Sequence, residues 1–183
     1  MFIHQVTEEI SLKYVDMFDA QPLYGLIDAS RPYLREWLPF VDATVSVDNT
    51  RKYIQAALQQ YAAGNGFQAV ILWQGVLAGA IGFHSIDWAN RSTSLGYWLA
   101  PALQGRGIMT QSCRAMVSIA LREYDLNRVE IQVATGNHKS AAIPQRLGFE
   151  QEGIKRQAEW LNGRFVDHAV YSLLAEQWSR MES

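Results

Sequence analysis

Apolar and polar positions alternate through Ile10, Leu12 and Tyr14, so residues 8–15 read as a first strand. Over 19–38 the spacing changes. Leu23, Leu26, Ile27, Leu34 and Trp37 recur at helical intervals, and Pro22 and Pro32 predict a helix broken in two. A stronger helix covers 47–63, closed by Gly64 just past its end. Apolar runs at 67–73 and 76–86 form a hairpin about Gln74-Gly75, and a second turn at 87–92 leads to a strand at 93–99. A helix from about Gly107 to Tyr124 follows, then a strand at 128–135 and a short helix ending at Gly148. The last two strands, 149–158 and 164–173, flank the turn residues Asn162-Gly163.

This order is mixed α/β: a mostly antiparallel sheet flanked by helices. A helix joins 93–99 to 128–135, which makes those two strands parallel neighbours. No repeat or low-complexity linker interrupts the chain, so residues 1–183 are expected to form one domain.

Composition narrows the classes. Of 183 residues, 49% are hydrophobic and 19% charged, as in a folded domain with a sizeable core. A net charge of −2, with Lys and Arg scattered, gives no electrostatic case for nucleic acid. The most apolar stretch, 69–83, is too short to span a membrane and is split by Gln74-Gly75. Cys113 is the one cysteine and the N-terminus lacks a signal-peptide core, so a cytoplasmic protein that does not engage membranes is expected. In that setting the Asn90-Arg91-Ser92 sequon carries no meaning.

The chemistry concentrates at the junction of the 93–99 strand and the following helix, where Gln104-Gly105-Arg106-Gly107 stands. A helix N-terminus leaves amides unpaired and favours an anion, and glycines let the backbone approach closely. Gly105 and Gly107 with Arg106 therefore form either a phosphate-binding nest or a plain glycine turn. A P-loop is absent, and Thr110 stands where a dinucleotide fingerprint requires its third glycine. Cys113 sits on an apolar helical stripe and reads as a small core residue. His4, His84, His138 and His168 have no metal-ligand spacing, so no metal is expected, and no Gly-x-Ser-x-Gly hydrolase elbow exists.

Residues 104–109 resemble the acyl-CoA pyrophosphate loop of the GNAT superfamily of N-acetyltransferases, Gln/Arg-x-x-Gly-x-Gly/Ala. Gln104 and Gly107 match, while Met109 departs from the final small residue. Asn137, Ser140 and the run Leu147-Gly148-Phe149 are similar to the family's second block. Residues 157–174 resemble the C-terminal hairpin of the Rim-type branch, which acetylates the N-termini of ribosomal proteins. The resemblance implies a GNAT fold whose one parallel strand pair splays apart, with acetyl-CoA as cosubstrate. The acceptor would be a primary amine, either a protein N-terminus or a small amine such as a polyamine or aminoglycoside. A catalytically silent CoA-binding module is the rival from another class, and dimers common in the branch leave room for a homodimer.

The resemblance also assigns roles. Backbone amides at Trp98 and Leu99 would pair with the pantetheine and face the thioester oxygen. The loop Gln104, Gly105, Arg106 and Gly107, with Ile108, Met109 and Thr110 opening the helix, would hold the pyrophosphate, and Asn137 and Ser140 the pantetheine arm. Glu159 matches the general base of the branch; as residues alone it is equally a solvated turn glutamate. The tyrosine that many relatives use to protonate the leaving thiolate is replaced by Pro144, which passes the task to Ser140. Trp160, beside Glu159, either walls the acceptor channel or packs in the core.

Overall fold

The structure, a computed structural model, describes residues 3–181. Eight strands form one sheet: β1 (Ile3–Gln5), β2 (Ile10–Tyr14), β3 (Gln68–Trp73), β4 (Val76–Asp87), β5 (Ser92–Leu99), β6 (Arg128–Ala134), β7 (Glu150–Leu161) and β8 (Arg164–Leu174). Their spatial order is β1-β2-β3-β4-β5-β6-β8-β7, and every neighbouring pair is antiparallel except β5 and β6. The helices are α1 (Ala20–Leu34), α2 (Phe40–Ala43), α3 (Val47–Ala62), α4 (Ile108–Ser118), α5 (His138–Arg146) and α6 (Ala175–Met181).

Local chemistry explains most boundaries. Ser46 and Asn49 make a reciprocal capping box at the start of α3, and Gly64 ends it in the left-handed conformation, φ +66°. The Gln74-Gly75 and Asn162-Gly163 turns both have two consecutive positive φ values, the geometry that matches the twist of a tight hairpin.

One expectation fails. Neither proline breaks the first long helix, and α1 runs unbroken from Ala20 to Leu34. Pro22 lies in the first turn, where its missing N–H would have no partner anyway. Pro32 lies near the other end and deletes one bond, while buried Leu23, Ile27 and Leu34 hold the helix to the sheet. Trp37 falls in the turn beyond the helix, not on it. Three elements had no sequence expectation: β1, α2 and α6. The long helix after the glycine junction changes to wider π geometry over Ile119–Glu123.

The sheet separates two cores. One, with Ile71, Ile81, Phe83, Leu95, Ile131 and Met116, lies under α4, α5 and α6. The other packs Leu23, Ile27 and Ile54 of α1 and α3 against Val70 of β3. The period-2 alternation of β5 sends Tyr97 to the first core and Trp98 to the second.

An ion pair ties the β7–β8 hairpin to β6. Arg128 donates to Glu152 at 2.6 and 2.7 Å, and Ser172 Oγ donates to the same carboxylate at 2.7 Å. The Arg128 hydrogen bonds, then Ser172, hold the Glu152 carboxyl at about 2, from an ordinary 4.5. A carboxylate depressed on folding stabilises above its unfolded pKa, and that contribution fades as pH falls from about 4.5 to about 2. Glu152→Gln is therefore expected to lower Tm at neutral pH and to converge with the wild type over that acid window. Thermal unfolding across a pH series checks this; a constant offset would place the effect in packing. The pair is partly exposed, so the offset should be small.

Candidate active site

The site begins where β5 and β6 part. Their parallel register covers only Ser92–Ser94 against Arg128–Glu130. From Leu95 to Leu99 the recorded pairing of β5 is with β4. A cavity of about 870 Å³ is lined by Tyr97, Trp98 and Leu99 of β5 and by Asn137, Lys139 and Ser140 at the start of α5.

The glycine junction lines the same cavity through Gln104, Gly105, Gly107, Ile108, Met109 and Thr110. Gly105 and Gly107 both have φ +77°, which side chains with a Cβ resist, so this turn needs glycine twice. Gly107 caps α4, and the first bond of the ladder is Gln111 N–H to Gly107 O at 3.0 Å. The amides before it lack helical acceptors and make an anion site with the helix dipole. Lys139 and Arg146 add positive charge to the wall. Unpaired amides, two cations and a gap between strands fit a pyrophosphate carrying an extended amide arm.

Met109 is 7% exposed and packs into the core, which absorbs the bulk that departs from a small residue. Arg106 is outside the cavity wall: its guanidinium lies over the Trp73 ring at 5.0 Å.

A second cavity, about 620 Å³, lies on the α1–α3 side of the sheet. The two share Trp37, Leu38, Tyr97, Trp98, Asn137 and Ser140 and so meet at the mouth of the splayed strands. Trp37 and Leu38 come from the turn after α1. Asn162, at the tip of the β7–β8 hairpin, anchors that turn through the carbonyls of Arg35 and Glu36, at 3.1 and 3.2 Å.

Glu159 lines this second cavity, with Oε2 3.1 Å from His168 Nε2. A bulge in β7 places it there. Lys155 pairs with His168 and Glu159 with Val166, so three β7 residues stand opposite Asp167 alone. Within the bulge Gln157 has φ +51°, and its N–H donates to Asp167 Oδ1 at 2.7 Å. Asp167→Ala should loosen the bulge and shift Glu159, lowering kcat of the acetyl transfer expected from the resemblance about tenfold with the KM for acetyl-CoA unchanged. Asp167→Asn, which keeps the acceptor oxygen, should recover most of it. Steady-state kinetics on both variants decide this, and equal losses would deny the clasp. Trp160 is 58% exposed and packs edge-on against Phe165 at 4.8 Å, so it is neither core nor cavity wall.

Asn137 Oδ1 accepts the Ser140 N–H at 3.1 Å, capping α5. Tyr97 OH donates to Ser140 O at 3.1 Å, and Ser140 Oγ donates to Tyr97 Oη at 3.4 Å. Burial raises the Tyr97 pKa, so its phenol stays protonated. Pro144 is buried inside α5, and the phenol near Ser140 comes instead from β5. Sequence reasoning missed Tyr97, His84 and His168, whose partners become neighbours only in the folded sheet. The pairing of His168 with Glu159 follows from a register that the bulge shifts. Cys113 is fully buried, and burial pushes its thiol pKa up, as suits a core residue.

Among the described residues no cluster of three or more His, Cys, Asp or Glu could hold a metal, and no helix is long and apolar enough to cross a membrane.

Comparison with known proteins agrees with this geometry. The family model for the acetyltransferase (GNAT) domain matches residues 12–150. The chain is 40% identical to YdaF of Bacillus subtilis (strain 168) over 179 residues, 97% of this chain and 98% of that one. It is 30% identical to the ribosomal-protein-serine acetyltransferase of Escherichia coli (strain K12) over 172 residues, 94% of this chain and 96% of that one. RimL, a ribosomal L7/L12 alpha-N-protein acetyltransferase solved in complex with coenzyme A, superposes with TM-score 0.93 at 30% identity, covering 96% of this chain and 99% of that one. With a sheet opened at one parallel pair and a glycine-capped helix facing the gap, the chain belongs to the Rim-type branch of the GNAT superfamily and is an acetyl-CoA-dependent N-acetyltransferase.

Proposed function

We propose that the acceptor is the α-amine at the N-terminus of a protein, a ribosomal protein first among the candidates, and that it attacks acetyl-CoA directly in a ternary complex. The observation that carries the reading is the meeting of two cavities at Trp98, Asn137 and Ser140, with the anion site on one side and Glu159 on the other. Acetyl-CoA supplies the activated acyl group. Gly105, Gly107 and the first amides of α4, with Gln104, Ile108, Met109 and Thr110 around them, hold its phosphates, and Asn137 holds the arm. Glu159 takes a proton from the amine, directly or through a water. Amides at Trp98 and Leu99 stabilise the charge that develops on the carbonyl oxygen. Ser140 turns its O–H from Tyr97 to the departing sulfur and gives it a proton as a solvent water reprotonates Oγ, and the proton held by Glu159 returns to solvent. In this reading residues 1–183 act as one catalytic domain in the cytoplasm.

The two relatives named for ribosomal proteins support a protein acceptor. A polyamine is disfavoured, because Glu159 is the one carboxylate among the residues lining the second cavity and serves the reacting amine, leaving none for a second ammonium. The test is thiol release from acetyl-CoA with peptides bearing free N-termini, with spermidine and with an aminoglycoside. Release with the peptides supports the reading; release with a small amine alone would overturn it.

A further inference from the structure

The second cavity is also lined by His84, a residue that the transfer chemistry does not use. In β4, Phe83 pairs with Leu95 and Ile86 with Thr93, so His84 and Ser85 together stand opposite Ser94. This is a two-against-one bulge. Its effect can be read from the core. Phe83 and Ile86, three residues apart, both point into the α4 side, while His84 turns to the cavity.

A bulge leaves backbone groups without ladder partners, and here side chains satisfy them. Gln60 donates to Phe83 O at 2.8 Å and to His84 O at 3.1 Å, and Gln68 donates to Phe83 O at 2.7 Å. Thr93 donates to Ser85 O at 2.6 Å, and Asn65 accepts from the Ile86 N–H at 2.8 Å. Four side chains from three other elements and a loop thus hold a two-residue irregularity. The ring itself is placed with equal care. Its Nδ1 lies 3.0 Å from Ser94 Oγ. Its Nε2 lies over Gly96, where a Cβ would come within 2.5 Å. Glycine at 96 is what lets the imidazole lie across β5.

We propose that His84 is a specificity-determining residue that binds a neutral hydrogen-bonding group of the acceptor next to its reacting amine. The inference rests on the amine-acceptor reading above. Ser94 engages Nδ1 and leaves Nε2 for the ligand. The surrounding protein lowers the His84 pKa, so the imidazole is neutral at pH 7. Tyr53, Gln68, Ser94 and Gln132 complete a polar wall with no Lys or Arg, and its one carboxylate, Glu159, serves the reacting amine. A hydroxyl or amide fits this wall. A second cationic group would find no free counter-charge there.

The test uses three peptides that differ only in their first residue: serine, alanine or lysine. Thiol release is followed with the wild type, His84→Ala and His84→Gln. The serine peptide should exceed the alanine peptide about tenfold in kcat/KM for the wild type, the worth of one partly exposed hydrogen bond, and the lysine peptide should be poorest. In His84→Ala the serine peptide should fall to the level of the alanine peptide, through KM, with the KM for acetyl-CoA unmoved. His84→Gln should keep most of the preference. Gly96→Ala, which displaces the ring without removing it, should lose the preference too. A serine-to-alanine ratio unchanged in His84→Ala would overturn the inference. So would a uniform fall in kcat for all peptides, which would make His84 a proton-transfer group. Turnover of none of the peptides by the wild type would overturn the acceptor reading itself, and this inference with it.

Discussion

Glu159→Gln is expected to reduce kcat/KM at pH 7 about a hundredfold or more while acetyl-CoA binds as before. Glutamine keeps the shape of the side chain and a hydrogen-bonding head toward His168, which lies 3.1 Å from the carboxylate. It cannot accept a proton. An N-terminal amine has a pKa of about 8, so most of it is protonated and unreactive at pH 7. The deficit should therefore narrow as pH rises through about 9, where the amine is neutral without help. Initial rates of thiol release across that range, with acetyl-CoA affinity measured alongside, give both parts. A variant as active as the wild type at pH 7 would reduce Glu159 to a structural partner of His168. A loss that does not narrow would assign it to holding the acceptor.

Gly79→Ala is expected to destabilise the fold by about 3 kcal/mol and to lower activity with it. Gly79 pairs with Leu99 at the edge of the splayed strands. A Cβ there would lie 2.2 Å from Trp98 O and 2.9 Å from Leu99 Cα. Both are backbone atoms, so no rotamer change relieves the contact. β5 would have to move at Trp98 and Leu99, whose amides are proposed to face the acyl group, or β4 would have to twist away from it. Gly79 also borders a register shift between β3 and β4, where glycine permits close approach. Urea unfolding should show a lower midpoint at unchanged slope. A loss below about 1 kcal/mol would mean that β5 yields without strain, and the amides at Trp98 and Leu99 would then be poor candidates for a rigid charge-stabilising pair.

Much of the candidate site was legible because its signals are local. Two glycines before a helix, each at φ +77°, declare an unusual backbone in their own residue type. Asn137 and Ser140 lie three apart and meet within one helical turn, at 3.1 Å. Glu159 was found through a family pattern, but its placement depends on a three-residue bulge whose only local mark is Gln157 at positive φ, and Gln157 does not advertise that conformation. Arg106 looked like a phosphate contact by adjacency and instead lies over Trp73, a residue of another strand. The first long helix misled in the opposite direction. Proline propensity is local, and burial of Leu23, Ile27 and Leu34 against the sheet outweighed it.

What the amino-acid order alone determined is the series of elements apart from β1, α2 and α6, the parallel pair at 93–99 and 128–135, the glycine-capped helix and the short motifs around it. Each depends on spacing within one or two turns or on a loop length. Only the tertiary structure decided how wide β5 and β6 open, which face of β5 carries Tyr97 or Trp98, and which side chains share a cavity. Tyr97 and Ser140 are 43 residues apart, and His84 meets Ser94 across a shifted register. Such pairs depend on sheet order and bulges, which arise from packing summed over the whole domain and leave no periodic trace in any one segment.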